Sequence, residues 1–391
     1  MREIVAGRLV LADEVVPGRI VVEDGWIAAV EAAGGGVGQG GVAQGSVAQG
    51  GVAQGSAGPI VAPGYVDVHV HGWGGHDATG DPDALTGMAR ALLRRGVTSF
   101  LPTAPTLPEA EIPRFAARVR GWMPGAPSDG AEPLGFNLEG PFIAPSRKGA
   151  HDPALLRTPA GIDPAIVEAS LDGLRIMTIA PELPGSLELI ERLDRLGIAA
   201  SLGHSAATIA EARAGYRAGG RTTTHIFNAM SGVDHRAPGL AVAALTDDRA
   251  YVELIADGHH VHPALWPLIR RAKPVDRLLL VSDALPFAGM GDGRTVIGGL
   301  DVEVRDGRAT LLGTETLAGS VIALDIAVRN MVREGASLPE AVTAASANPA
   351  ALLGAGDRGR IEAGRRAHLV ELDDDLRVRR VMRGAGWVEP T

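Results

Sequence analysis

Two histidines stand two residues apart in the run Val61-Ala-Pro-Gly-Tyr-Val-Asp-Val-His-Val-His-Gly72. Tyr65 to Val70 is short, β-branched and entered through Pro-Gly, which reads as a buried strand. The two-residue period of a strand points His69 and His71 the same way. Gly72, Gly74 and Gly75 follow, so the pair lies where the strand opens into a loop. Two same-facing imidazoles at a strand's end are half of a metal site. Two solvated polar histidines would leave the same trace, and the rest of the chain decides between these readings.

Five further polar groups follow apolar runs: Asn137-Leu-Glu139-Gly-Pro-Phe142, Leu202-Gly-His204-Ser205, Thr224-His225-Ile-Phe-Asn228-Ala-Met230, Asp257-Gly-His-His260 and Val281-Ser-Asp283-Ala284. Taken singly, each has a structural reading. A strand-end histidine can be a satisfied hydrogen-bonder, Glu139 a turn carboxylate and Asp283 a helix cap. Taken jointly, four imidazoles and two carboxylates at one place would repel or be poorly solvated without a cation. The chain has no cysteine, so the metal must be held by His, Asp and Glu, which favours zinc, manganese or iron. Some two-metal barrel hydrolases bridge their ions with a carboxylated lysine at a strand end. The only lysines, Lys148 in a predicted loop and Lys273 before the last predicted strand, are not placed for that. Glu139 is the available bridging ligand.

Each group sits just after one of eight predicted strands: Val66–Val70, Val97–Pro102, Gly135–Leu138, Leu174–Ile179, Ala199–Leu202, Thr222–Ile226, Val252–Ala256 and Leu278–Ser282. Between them lie helical patterns such as Ala84–Arg94, Leu187–Leu196 and Ile209–Ala218. Strands alternating with helices predict an α/β fold, a (β/α)8 TIM-like barrel with its active site at the C-terminal strand ends. An open doubly wound sheet would need a glycine-rich phosphate fingerprint after its first strand, and none is there. The barrel is expected over 62–353. Short strand signals in 1–61 and 354–391 predict a small β-sandwich domain made jointly by the two ends. Within the first of these, 34–58 repeats Val-Ala-Gln-Gly and reads as a mobile low-complexity loop.

Composition narrows the partners. A formal net charge of −9 with no basic run argues against nucleic acid. No apolar run approaches a membrane span and the first residues lack a signal-peptide core, so the cytoplasm is expected.

The motifs together resemble one family. The runs already quoted, with Lys148-Gly-Ala-His-Asp-Pro153 and Thr316-Leu-Ala-Gly-Ser320, look like the N-acetylglucosamine-6-phosphate deacetylases of the amidohydrolase superfamily. The resemblance spans nearly the whole chain except the repeat. The paired histidines and the strand-8 aspartate are superfamily-wide, whereas Leu-Glu-Gly-Pro-Phe and His-Ile-Phe-Asn-Ala-Met are particular to the deacetylases. It implies that Glu139, His204 and His225 hold a divalent metal, most simply Zn2+. His69 and His71 match the ligands of a second ion, with Glu139 bridging. Asp283 matches the catalytic carboxylate, and His151 a residue on the acetamido carbonyl. Ala150, His151, Asn228, Ala229, Arg236, His260 and Leu317, Ala318, Gly319 and Ser320 match contacts to a phosphorylated amino sugar. It further implies a homodimer in which Arg236 reaches the neighbouring subunit's site. His368 stands where an aspartate is usual. His76, His235, His259, His262 and His368 are read as structural or solvated. The rival readings are another amidohydrolase, such as a D-aminoacylase or cyclic-amide hydrolase, and a non-catalytic sugar-phosphate-binding barrel.

Overall fold

The computed structural model describes residues 1–32, 58–384 and 386–390. The expected loop over 34–58 lies outside these residues apart from Gly58. Eight parallel strands form the centre: β1 (Tyr65–Val70), β2 (Val97–Ala104), β3 (Phe136–Glu139), β4 (Leu174–Ile179), β5 (Ala199–Leu202), β6 (Thr222–Thr223), β7 (Tyr251–Ile255) and β8 (Leu278–Val281). They pair in sequence order from β1 to β8. The ring closes at its C-terminal rim, where Asp283 N–H donates to His69 O and His71 N–H to Ala284 O, both at 2.9 Å. β6 is shorter than its apolar run suggests, because the backbone leaves the extended region at His225, where φ is 25°.

The helices form because their apolar residues recur at helical spacing behind good caps. Pro82–Leu93 buries Leu85, Met88, Ala89, Leu92 and Leu93, and its N-cap Asp81 accepts from Ala84 N–H at 2.9 Å. Ile209–Arg217 and Leu338–Ala345 each start with a reciprocal capping box, Thr208 with Glu211 and Ser337 with Glu340. Val66, Val68, Leu101, Ile176, Ala199, Ile255, Leu279 and Val281, from six strands around the ring, pack in one cluster with Ala350, Leu352 and Leu353. Only inward-facing residues of a nearly closed barrel can meet in this way, and the helix Ala347–Leu352 stoppers the lower end. Access is thereby left to the C-terminal rim.

The chain ends build a separate seven-stranded sheet. Its order is Gly386–Val388, Val378–Arg383, His368–Leu372, Ile60–Pro63, Arg2–Val10, Val15–Glu23 and Trp26–Ala32. Ile60–Pro63 joins the halves, parallel to Arg2–Val10 and antiparallel to His368–Leu372. Leu9, Ile20, Ile27, Leu369 and Met382 are among its core, so each end supplies apolar area the other lacks.

One element was not anticipated. After β8 the strands Gly293–Ile297, Leu300–Arg305 and Arg308–Leu311 form an antiparallel sheet with its own small core of Leu285, Ile297, Val302, Val304, Ala309 and Ala318. Its hairpins turn on Gly298-Gly299 and Asp306-Gly307, all four at positive φ, as two-residue turns between twisted strands require. Among the described residues no helix is long and apolar enough to cross a membrane.

Candidate metal centre and active site

The rim gathers side chains from β1, β3, β5, β6 and β8. His69, His71, Glu139, His204, His225 and Asp283 are all buried. His204, His225 and Asp283 take φ values of 47°, 25° and 49°, and Phe227 and Ala229 beside them 75° and 48°. A left-handed backbone at a non-glycine residue costs about 1–3 kcal/mol and persists where surrounding structure imposes it. Five such residues around one point mark a place where the fold aims side chains against backbone preference.

Three of the four imidazoles are locked from behind, while His225 Nδ1 is buried without a hydrogen-bond partner. His71 Nδ1 donates to Thr103 O at 3.1 Å, His204 Nδ1 to Arg147 O at 2.9 Å and His69 Nδ1 to Glu253 Oε2 at 3.1 Å. These acceptors fix the hydrogen on Nδ1, so each ring presents its Nε2 lone pair to the centre. There the lone pairs meet oxygen and nitrogen. His71 Nε2 lies 3.2 Å from Glu139 Oε2 and 3.1 Å from Asp283 Oδ1. His204 Nε2 lies 3.1 Å from both Glu139 Oε1 and His225 Nε2, and His225 Nε2 is 2.9 Å from Glu139 Oε1. His69 Nε2, buried without a hydrogen-bond partner, is 3.6 Å from Glu139 and from Asp283. Lone pairs converging at such distances repel unless positive charge stands between them, and nitrogens about 3 Å apart suit neighbouring ligands of one small cation.

The electrostatics agree. Burial is the largest influence on every one of these groups and opposes charge, yet the carboxylates outweigh it at three rings. Glu139 and Asp283 carry His69 well above the ordinary histidine range. Hydrogen bonds to Asp283 and Glu139 push His71 up to about 9, and Glu139 raises His225. His204 goes the other way, pulled down by burial to about 4. Against the same penalty, His69 and the other rings hold Glu139 well below the usual carboxylate range, and His69 and His71 hold Asp283 down to about 2. The carboxylates draw positive charge to this point, as a proton on Nε2 of the rings when no cation is bound, and the donor set of neutral imidazole and carboxylate fits a divalent cation in the proton's place.

Donor triads centred on Glu139 include His69 with His71 and His151 with His204. Hydrogen bonding separates His151 from the rest. Its Nδ1 accepts from Thr106 N–H at 3.2 Å and lies 2.9 Å from Thr106 Oγ1. A backbone N–H can only donate, so the ring hydrogen of His151 sits on Nε2, 3.5 Å from Glu139 Oε2. His151 is therefore a donor into the cleft, and His225 is the better third partner for Glu139 and His204.

Above this floor opens a cleft of about 410 Å³. Ala150, His151, Asn228, Ala229, His260, Leu317, Ala318 and Gly319, all expected at the site, line it. His260 is held through Nδ1 by Asp257 Oδ2 at 2.7 Å. Two expected residues are elsewhere. Ser320 is buried behind Asp283, its N–H donating to Asp283 O at 2.7 Å and its hydroxyl to Ser282 O. Arg236 is exposed on the loop after Met230 and does not line the cleft of its own chain. The small sheet after β8 contributes Ile297 and Arg308 to the wall, and Glu315 and Thr316 follow it. Thr103, Thr106 and Glu253 escape the sequence reading. Glu253 alone leaves a signal, as the one charged residue within the strand Tyr251-Val-Glu-Leu-Ile255.

A (β/α)8 barrel whose rim converges imidazoles and carboxylates defines the class of barrel hydrolases that work with divalent cations. The chain belongs to the amidohydrolase family, whose model matches residues 60–388. It is 41% identical over 339 residues to the N-acetylgalactosamine-6-phosphate deacetylase of Escherichia coli O157:H7, covering 84% of this chain and 86% of the relative. It is also 41% identical over 341 residues to the N-acetylglucosamine-6-phosphate deacetylase of Bos taurus, covering 82% and 81%. Among solved structures, the N-acetylglucosamine-6-phosphate deacetylase of Thermotoga maritima matches with a TM-score of 0.87 at 32% identity over 98% of this chain and 99% of that one. A mutant of the N-acetyl-D-glucosamine-6-phosphate deacetylase of Mycobacterium smegmatis, in complex with N-acetyl-D-glucosamine-6-phosphate, matches at 0.86 and 35% over 99% of each chain.

Proposed function

We propose that this chain hydrolyses the amide of N-acetyl-D-glucosamine 6-phosphate, giving D-glucosamine 6-phosphate and acetate. The observation that carries the reading is a pair lining one cleft: a histidine fixed as an Nε2–H donor, His151, and a buried carboxyl group, Asp283, 3.1 Å from His71 Nε2. Amide hydrolysis needs a donor for the carbonyl oxygen and a base that later returns its proton to the leaving nitrogen.

Glu139, His204 and His225 would hold one divalent cation, and His69 and His71 a second with Glu139 shared. When bound, the cation supplies Lewis-acid polarisation and a nucleophile at neutral pH, a role that suits Zn2+. His151 donates its Nε2 hydrogen to the acetamido oxygen as charge develops there. Asp283 takes a proton from the attacking water and delivers it to the sugar nitrogen as the C–N bond breaks, and the second water proton, left on the new carboxyl group, passes to the freed amine, so the products are acetate and the ammonium form of the sugar. Leu285, Ile297 and Leu317 line the cleft and limit water around the reacting carbonyl. His260, with N–H groups near Asn228 and Ala229, would meet the phosphate. The exposure of Arg236 suits a homodimer in which this side chain serves the neighbouring subunit's cleft.

A second substrate, the C4 epimer N-acetyl-D-galactosamine 6-phosphate, is favoured by the 41% identity to the Escherichia coli deacetylase named for it. Acetate release from both phosphorylated sugars and from unphosphorylated N-acetylglucosamine decides among these, measured with metal analysis before and after chelation. The expected result is turnover of a phosphorylated sugar that chelation abolishes and zinc restores. Full activity in demonstrably metal-free protein, or no acetate from any of the three, overturns the reading.

A further inference from the structure

Glu253 is wholly buried in β7, on a strand otherwise composed of Tyr251, Val252, Leu254 and Ile255. A carboxylate in that setting is expensive unless its oxygens are used. One of them is used twice. Oε2 accepts from His69 Nδ1 at 3.1 Å and from the backbone N–H of His225 at 3.2 Å. The other, Oε1, is buried without a partner. The chain thus buries a whole carboxyl group to place one oxygen between the back of His69 and the backbone of His225. In the same ring the opposite nitrogen, Nε2, is the buried partnerless atom facing Glu139 and Asp283.

We propose that Glu253 is a positioning residue that fixes His69 as an Nε2 ligand and thereby creates the second ion position, formed by His69, His71 and Glu139. The inference rests on the metal-dependent reading above and deepens it. If the His69 ring turned over or changed tautomer, its hydrogen would face the donor atoms of His71 and Glu139, which lie within 4.8 Å of one another and of His69. The carboxylate of Glu253 prevents both, since it can only accept. Its hydrogen bond also raises the basicity of the ring it holds. His71 is oriented by the neutral carbonyl of Thr103 instead, so within this triad the carboxylate support is given to His69. Glu253 lies behind the ligand and does not line the cleft.

The test is zinc uptake by the full chain, measured by equilibrium dialysis and elemental analysis across a range of free zinc. Wild type, Glu253→Gln, Glu253→Ala, His69→Asn and the Glu253→Gln/His69→Asn double variant are compared. Carboxylates placed behind metal-bound histidines are typically worth 10–100-fold in metal affinity. The weaker of two ions should therefore lose about 10–100-fold in affinity in Glu253→Gln while the tighter ion stays close to its wild-type affinity. In the His69→Asn background the Gln substitution should add nothing to the loss, which a general structural role would not produce. Glu253→Gln keeps side-chain volume and an acceptor for His225 N–H, so it carries the test if the Ala variant fails to fold. Unchanged affinities, equal loss of both ions, or full additivity in the double variant each overturn the proposal. A wild-type chain that takes up a single ion, bound equally by Glu253→Gln, overturns it too and leaves the functional reading standing. Uptake of no divalent ion overturns that reading itself.

Discussion

Ionisable side chains are buried at both ends of the barrel, under opposite arrangements. At the C-terminal rim, His69, His71, His204, Glu139 and Asp283 aim acceptor atoms at a common centre, with His225 Nε2 beside them. At the other end, Arg358 lies buried against Ser99 of β2, donating to Ser99 Oγ at 2.9 Å, to Glu132 Oε2 at 3.1 Å and to both oxygens of Asp357. Arg366 joins it on Asp357, and Arg383 donates to the carbonyls of Pro127 and Gly130. Donors face acceptors there, and the terminal sheet is tied to the barrel by satisfied charge. At the rim acceptors face acceptors, and the pattern is incomplete as it stands. Burial of charge is therefore a poor guide to function by itself, and complementarity is the better one. A complementary cluster holds parts together, whereas a non-complementary one is built for something that arrives.

The contrast predicts that substitutions at the rim change rate and those at the lower end change stability. The largest effect belongs to Asp283→Asn. It should lower kcat by roughly 10²–10⁴-fold, the ordinary worth of a positioned acid–base, equivalent to about 3–5 kcal/mol of barrier. Zinc content and Tm should stay near wild type, because the amide keeps the side chain's shape. Near-normal kcat would move proton transfer to another group, with His151 the next candidate.

A smaller effect of the opposite kind is expected from Arg358→Met. Removing Arg358 takes away its hydrogen bonds to Glu132 and Asp357 and leaves both carboxylates to Arg366, which stays on Asp357 and lies 4.0 Å from Glu132. Their side chains are 24% and 34% exposed, so water offsets part of the penalty. The loss should be about 2–3 kcal/mol, below the usual figure for a fully buried pair. Urea denaturation reads it, while kcat per folded molecule should not move. A drop in kcat without a drop in stability would break the distinction between the two ends.

How far the sequence carries depends on how local each cause is. The eight strands and the alternation with helices follow from apolar runs, turn residues and caps, all read within a dozen residues. The His69–His71 pair, Glu139, His204, His225 and Asp283 were recognisable because each stands just after such a run. Glu253 and Thr106 were not, since their partners lie 184 and 45 residues away and nothing local encodes the meeting. Ser320 sits in a run that does line the cleft, but its own direction is set by the carbonyls of Ser282 and Asp283. The small sheet after β8 was legible in principle. Gly298-Gly299 and Asp306-Gly307 are two-residue hairpin turns, and Asp301-Val-Glu-Val-Arg305 alternates as a half-buried strand should.

The finest test of the comparison concerns His368, which tells whether the lower end tolerates any group it does not pair. His368 is buried in the strand His368–Leu372, and its Nδ1 has no hydrogen-bond partner. Burial, reinforced by the positive charges of Arg358, Arg383 and Arg366, pulls its pKa down from 6.5 to about 3. The ring is thus neutral in the folded chain across the physiological range, whereas in the unfolded chain it takes up a proton below about pH 6.5. The unfolded state binds more protons between pH 6.5 and 3, so stability falls as pH falls through that window and is fully present above it. Between pH 6.5 and 5.5 this one group should remove about 1 kcal/mol. His368→Gln has no proton to gain and should lose that much less than wild type over the same step, in urea denaturation at the two pH values. Identical pH slopes would mean that the folded chain does protonate His368, with Glu132, 3.9 Å from its Nε2, as the partner that stabilises the charge. The lower end would then be complementary even at a position where its hydrogen bonds leave a gap.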